Sequence, residues 1–267
     1  MDRQLFFIFG LTFVINLIAT LAYSVRIAGT RTGRIAVSLS LFNILVLVSR
    51  TSNTFQAPLL SKRVEHSLLM SAHTGITTDL RWLLFASTLA TVMGALLIPT
   101  FQRVFGRAVL AFGEYRSVLR LLSHGFSRAG LNYLAHSARL PAKENLTQLS
   151  KGPNLPIPVI LFNIVATAVS GVGVFASLYA GYLHPSLRLT ASSLAGIING
   201  LSMILLAVFI DPYLSILSDD VVEGKVGEPY FRKAVVWLVG SRMAGTVLAQ
   251  AMLIPAAYLI IGIAERI

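Results

Sequence analysis

Five stretches of this chain run for 21 residues or more without a single Asp, Glu, Lys or Arg: Gln4–Val25, Trp82–Gln102, Gly152–Leu187, Leu189–Ile210 and Met243–Ala264. No other feature limits the fold as strongly. A bilayer core of roughly 30 Å needs about 20 apolar residues per helix. Inside it every backbone N–H and C=O must be paired within the chain, so runs of this length are spanning helices. Only 12% of the residues are charged and the mean hydropathy is +0.74, against about 25% charged in soluble domains. The expected fold is all-α, a polytopic membrane protein forming one transmembrane domain over residues 1–267. Soluble enzymes, disordered tails and nucleic-acid-binding modules are excluded, and nucleic acid is not an expected partner. Residues 4–25 do not read as a cleaved signal peptide, because the run is long, lacks a preceding basic cluster and is followed by further spans.

Six spans are predicted. The first is Gln4–Val25, and the second follows Arg34 and reaches Ala57, where Pro58 stops it. The third is Leu80–Ile98, ended by Pro99, and the fourth is Ile157–Leu183. The fifth runs from Thr190 to Ile210 and breaks at Asp211-Pro212, and the sixth is Ala234–Ala264 with a possible kink site at Pro255.

The sparse charge is strongly basic, with 22 Lys and Arg against 11 Asp and Glu, a net +11. On a membrane protein such an excess is chiefly topological, since Lys and Arg collect in cytoplasmic loops facing anionic lipid headgroups. The first, third and fifth loops hold three, eight and three basic residues, fourteen together, against seven on the other side. The odd loops are therefore expected to be cytoplasmic and both termini outside. Residues 101–156 carry eight basic and two acidic residues, net +6. Arg103/Arg107 and Arg116/Arg120 are i,i+4 pairs, and Phe101, Val104, Phe105, Val109 and Phe112 supply an apolar side. This predicts an amphipathic, interfacial cytoplasmic helix in the headgroup plane. It either follows the positive-inside rule as a plain surface helix or docks anionic lipid headgroups, which are expected partners.

Ionisable groups at bilayer depth are costly and face a protein interior or a wet cavity. Arg50 stands in a stripe with Ser40, Asn43 and Thr54; Arg242 stands with Thr246 and Gln250; Asp211 sits beside Pro212. By helical rise Arg50 is about 24 Å from Arg34, and Arg242 about 14 Å from Lys233. If the second, fifth and sixth spans share a cavity, Arg50 and Arg242, with Arg26, Arg31 and Arg34 at the inner rim, form a cationic ladder across the membrane. Guanidinium groups bind phosphate bidentately and stay charged, so the ladder suits a phosphate or diphosphate headgroup. Equally, Arg242 could pair with Asp211 as a structural ion pair while Arg50 snorkels outward. Asn53 and Asn199 join the candidate lining, although Asn199 and Asn163 could instead be interhelical glue. A changing Asp211–Arg242 pair would also permit proton coupling.

Small residues repeat every four positions at Gly173-x3-Ser177-x3-Gly181, Ser192-x3-Gly196-x3-Gly200 and Ser241-x3-Gly245-x3-Ala249. They predict close helix contacts. No catalytic constellation emerges. There is no phosphate-binding G-x-x-x-x-G-K-[ST] loop and no H-E-x-x-H. The five His are scattered and there is no Cys, so neither a metal nor any other cofactor is expected. Asp219-Asp220 reads as a solvated loop pair in preference to a Mg²⁺ site.

The strings TLAYSVRIAGTRTGRIA (20–36), SLFNILVLVSRTSN (40–53), GIINGLSMILLAVFIDP (196–212) and SRMAGTVLAQ (241–250), with GFSRAG (125–130) and ARLP (138–141), resemble the Amj family. Those are bacterial lipid II flippases, described as the alternate to MurJ, and the likeness covers essentially the whole chain. The resemblance implies a non-enzymatic transporter in the bacterial cytoplasmic membrane. Its implied substrate is undecaprenyl-pyrophosphate-linked disaccharide-pentapeptide, moved from the inner to the outer leaflet for peptidoglycan synthesis. The residues themselves leave two rivals: a membrane-embedded enzyme acting on polyprenyl diphosphates, and a proton-coupled carrier of a small solute.

Overall fold

The computed structural model describes residues 2–69, 75–115, 136–137, 152 and 154–267. Arg116, Arg120, Arg128, Arg139, Lys143 and Lys151, and the 125–130 and 138–141 strings, lie outside the described residues. Asp2 caps the first helix by accepting a hydrogen bond from the Leu5 N–H at 2.8 Å. α1 then runs Arg3–Thr32 and ends at Gly33, whose φ of 68° is left-handed and suits glycine. The chain reverses there within two residues into α2, Ile35–Leu69. α3 is Ile76–Tyr115 and α4 is Ile157–Leu183. A 3₁₀ turn, Pro185–Leu187, leads to α5, Arg188–Leu205. A single π-helical turn, Leu206–Ile210, joins α5 to α6, Asp211–Val222, and α7 is Glu228–Ala264. Among the described residues six helical segments are long and apolar enough to cross a membrane, α5 to α6 counting as one. The chain is an all-α polytopic membrane protein.

Several helices outrun their predicted spans. α2 passes through Pro58 instead of stopping before it. Thr54, whose carbonyl it deprives of a donor, is exposed and stands twenty residues beyond Arg34, about 30 Å by helical rise, at the bilayer edge where water can pair the carbonyl and the break is not forced. α3 likewise passes Pro99 and has 40 residues, about 60 Å of helix, or twice the hydrocarbon thickness. Residues 101–115, expected as a separate in-plane helix, are its last turns. Val109 is fully buried there with Phe105 and Phe112 against Ala22, Val25 and Leu41, so this apolar side packs on α1 and α2.

α1 is the central post. Every residue from Thr20 to Thr30 is buried, as expected of a helix surrounded by others. α4 is clamped between α5 and α7 by the small residues. A Cβ at Gly245 would stand 2.7 Å from the Ile164 carbonyl oxygen, one at Gly171 3.3 Å from Ala249 Cβ, and one at Gly173 2.8 Å from Ile198. The α5 stripe behaves differently from its prediction. Ser192 and Gly196 are exposed, and nothing lies within 4 Å of a Cβ at Gly196 or Gly200. α5 meets α4 through its other face, where the Ser202 hydroxyl donates to the Ala166 carbonyl at 2.7 Å.

Candidate functional site

A cavity of about 150 Å³ lies inside the bundle, room for on the order of ten waters. Its first wall is a stripe of α1: Thr12, Asn16, Ala19 and Tyr23, spaced three to four residues apart. α2 supplies Ser49, Arg50, Asn53 and Gln56. Interhelical hydrogen bonds fix these two walls. Gln56 Nε2 donates to Thr12 Oγ1 at 2.5 Å, and Ser49 Oγ donates to the Ile15 carbonyl at 3.0 Å. α4 contributes Thr167, Ser170, Gly171 and Phe175, and α7 contributes Arg242 and Thr246. Asp211 enters at the end of the π turn.

The π turn explains how Asp211 arrives there. Pro212 cannot continue the i to i+4 ladder, and the Asp211 N–H bonds to the Leu206 carbonyl five residues back. The inserted residue widens the turn and re-aims the side chain, as such bulges do. Asp211 thereby meets Arg26, not Arg242: the guanidinium Nη2 stands 2.8 Å from Asp211 Oδ1. The Arg26 side chain is 3% exposed and its guanidinium carbon is 4.2 Å from the Phe42 ring centroid, a cation–π contact.

Arg50 and Arg242 make no ion pair among the described residues. Arg242 Nε is also buried without a hydrogen-bond partner. Three guanidinium groups against one carboxylate leave the cavity and its floor at a net +2. Along α1, the Ser49–Ile15 bond sets Arg50 about eleven residues from Arg26, roughly 16 Å by helical rise. Arg242 lies 14 residues along α7 from Glu228, which Arg31 contacts at 2.6 Å. That is about 21 Å and puts Arg242 between Arg26 and Arg50. Such an arrangement has the charge and the donors to suit a compact polyanion of two or more charges, held through charge-assisted hydrogen bonds.

A family model described as "Alternate to MurJ", Amj, matches residues 11–264. The chain belongs to the Amj family. Within the family, the protein named "Lipid II flippase Amj" from Bacillus subtilis (strain 168) is 39% identical to the chain over 261 residues, covering 96% of the chain and 95% of that protein. No solved structure gives a significant match.

Of the residues selected from sequence, the fold brings Arg50, Arg242, Asn53 and Asp211 to the cavity, with Arg26 behind Asp211. The others go elsewhere. Arg31 is bound to Glu228, and Arg34 Nη1 donates to the Leu110 carbonyl at 3.2 Å, both at the end of the bundle where α1 turns into α2. Asn43 is exposed, together with Ser40 and Thr54. The face of α2 that Arg50 shares is instead Phe42, Val46, Ser49, Asn53 and Gln56. Asn199 packs over Gly173, its Oδ1 3.1 Å from a Cβ there, so it belongs to the α4–α5 contact. Gln250 Nε2 donates to Thr88 Oγ1 at 3.0 Å and links α7 to α3. Asn163 donates to the Leu238 carbonyl and to Ser241 Oγ at 2.8 and 2.7 Å, so it too is glue. The α1 stripe carries no Asp, Glu, Lys or Arg, so the rarity of intramembrane charge does not mark it. Thr12, Asn16 and Tyr23, polar residues on one face of an otherwise apolar span, were the available signal.

Proposed function

We propose that this chain is a lipid II flippase of the bacterial cytoplasmic membrane, carrying undecaprenyl-diphosphate-linked disaccharide-pentapeptide from the inner to the outer leaflet. The observation that carries the reading is the 39% identity, over nearly the full length of both chains, to a protein named for that activity. The activity is transport and not catalysis. The odd loops face the cytoplasm, where their fourteen basic residues meet anionic lipids.

The chemistry of the cavity supports the same reading. A diphosphate needs dense positive charge at bilayer depth, and Arg26, Arg242 and Arg50 give three successive stations between the two ends of the bundle. The volume of about 150 Å³ fits the diphosphate and not the disaccharide-pentapeptide, so passage requires the helices to part. Asp211 holds Arg26 in this conformation. An arriving diphosphate competes for that guanidinium and frees the carboxylate to take a proton.

The test is lipid II translocation in proteoliposomes by wild type, Arg50→Ala and Arg242→Ala. Each variant is expected to be slower by at least tenfold. Wild-type rates in both would remove the arginine path and leave the family untouched. A fully active Asp211→Asn variant with unchanged pH dependence would remove the proton step alone.

A further inference from the structure

A second cavity, of about 250 Å³, lies between α3 and α7 with Ile27 of α1 at its back. Its walls are aliphatic: Ala95, Leu96 and Pro99 on α3 face Val236, Gly240 and Met243 on α7. The packing explains the gap. Gly94 lets α3 press on α1, where a Cβ would stand 2.7 Å from Thr20 Cβ. The next residue, Ala95, lines the gap with little bulk, and Gly240 opposite has no side chain to fill it. Leu96 and Met243 on its edge are 45% and 40% exposed, so the slot opens sideways into hydrocarbon.

One end of the slot is polar. Gln102 and Arg232 line it; Arg232 donates through Nη2 to Glu228 at 2.8 Å, while its buried Nε has no partner among the described residues. Glu228 is shared with Arg31 at 2.6 Å, so two guanidinium groups divide one carboxylate and that end is net positive. The slot and the arginine cavity share the helices α1 and α7. Arg242 lines one and the consecutive Met243 the other; on α1, Tyr23 and Ile27 divide the same way one turn apart.

A free anion would leave the aliphatic walls empty, and an uncharged hydrocarbon would leave Arg232 Nε unanswered. A single narrow slot suits one chain better than the paired chains of a phospholipid. We propose that the α3–α7 slot docks the isoprene units nearest the diphosphate of the polyprenyl lipid, the rest of the chain staying in the bilayer, with the diphosphate first held at the Arg232 end and then passed to Arg242. The assignment rests on the flippase reading for the identity of that lipid.

The experiment uses the full chain in phosphatidylethanolamine–phosphatidylglycerol vesicles. A polyprenyl diphosphate with a photoactivatable group in the isoprene units nearest its diphosphate is crosslinked, and adducts are mapped by mass spectrometry. Labelling of residues 92–102 and 232–243 is expected to exceed that of the exposed α5 face (Ile197, Leu201) by at least tenfold. A photoactivatable phosphatidylglycerol should label both evenly. Arg232→Gln is expected to reduce slot labelling severalfold, and Gly240→Leu to abolish it. The wild-type ratio decides the matter even if Gly240→Leu fails to fold. Equal labelling of slot and α5, or equal slot labelling by phosphatidylglycerol, would overturn the proposal. Lipid II translocation measured on the same wild-type preparation separates the two readings. Slot labelling without translocation sinks the flippase assignment only, and translocation without slot labelling sinks the docking groove only.

Discussion

The two cavities flank the same helix yet differ in almost every physical respect. The arginine cavity has walls stitched by side-chain hydrogen bonds, Gln56 to Thr12, Ser49 to the Ile15 carbonyl and Asn163 to Ser241. The α3–α7 slot has aliphatic walls, an edge open to hydrocarbon and a left-over gap between small residues. Unpaired cations such as Arg242 are costly at bilayer depth and are found facing a protein interior or a wet cavity. Hydrocarbon needs no such surroundings. The contrast teaches that α7 is divided lengthwise, with consecutive residues assigned to opposite solvents.

The contrast can be broken most severely at Gly245. A side chain there meets the Ile164 backbone carbonyl, which cannot swing aside. Gly245→Leu is expected to separate α4 from α7 and cost more than about 3 kcal/mol, seen as loss of monodisperse protein and of a cooperative thermal transition. Next is Asp211→Asn, which strands Arg26 in the interior. The Asp211 side chain is 41% exposed, so the expected loss is about 2 kcal/mol, below the 3–5 kcal/mol of a fully buried pair. Removing both charges, Arg26→Leu with Asp211→Leu, should recover most of that loss in chemical denaturation.

A smaller effect is expected at the far end of the bundle, where Asp2 caps α1 and Arg63 joins it to Asp79. Its hydrogen bonds from the Leu5 N–H and then from Arg63 hold the Asp2 carboxyl below its ordinary range. A depressed folded value means that the stabilisation is present above the unfolded pKa of about 3.9 and is lost as pH falls through the folded value. Asp2→Ala should cost about 1 kcal/mol near neutrality, and melting curves of the two proteins should converge below that range. The least effect is expected on the slot side. Val236 borders an existing gap, so Val236→Ala should cost under about 1 kcal/mol; a loss as large as at Gly245 would show that the slot wall is structural.

Much of this was legible in the chain. Charge-free runs located five of the six spans and the apolar stretch on either side of Arg50 gave the second, and the rarity of intramembrane charge singled out Arg50, Arg242 and Asp211, each of which lines the cavity. What failed was facing. The candidates on α2 took in Asn43, on the exposed side, beside Asn53 and left out Gln56, because Arg50 lies near the boundary between two faces of α2. An Asp211–Arg242 pair, one of the two arrangements the sequence left open, does not form in this conformation, because the π turn rotates Asp211 towards Arg26. The α5 small-residue stripe matched those of α4 and α7 in sequence, yet α5 meets the bundle with its opposite side.

The sequence by itself determined that the chain spans the membrane six times, which ends carry positive charge, and which few ionisable groups lie at depth. Those are properties of composition and length, set by the cost of placing charge and unpaired backbone in hydrocarbon. Tertiary structure decided which arginine is neutralised and which is left free. It also decided that half of α1 is enclosed and that a polar cavity and an apolar slot share α7. The reason is geometric: a helix presents all its faces in sequence, and only the neighbours packed against it, set here by contacts such as Gly245–Ile164 and Gly94–Thr20, determine what each face meets.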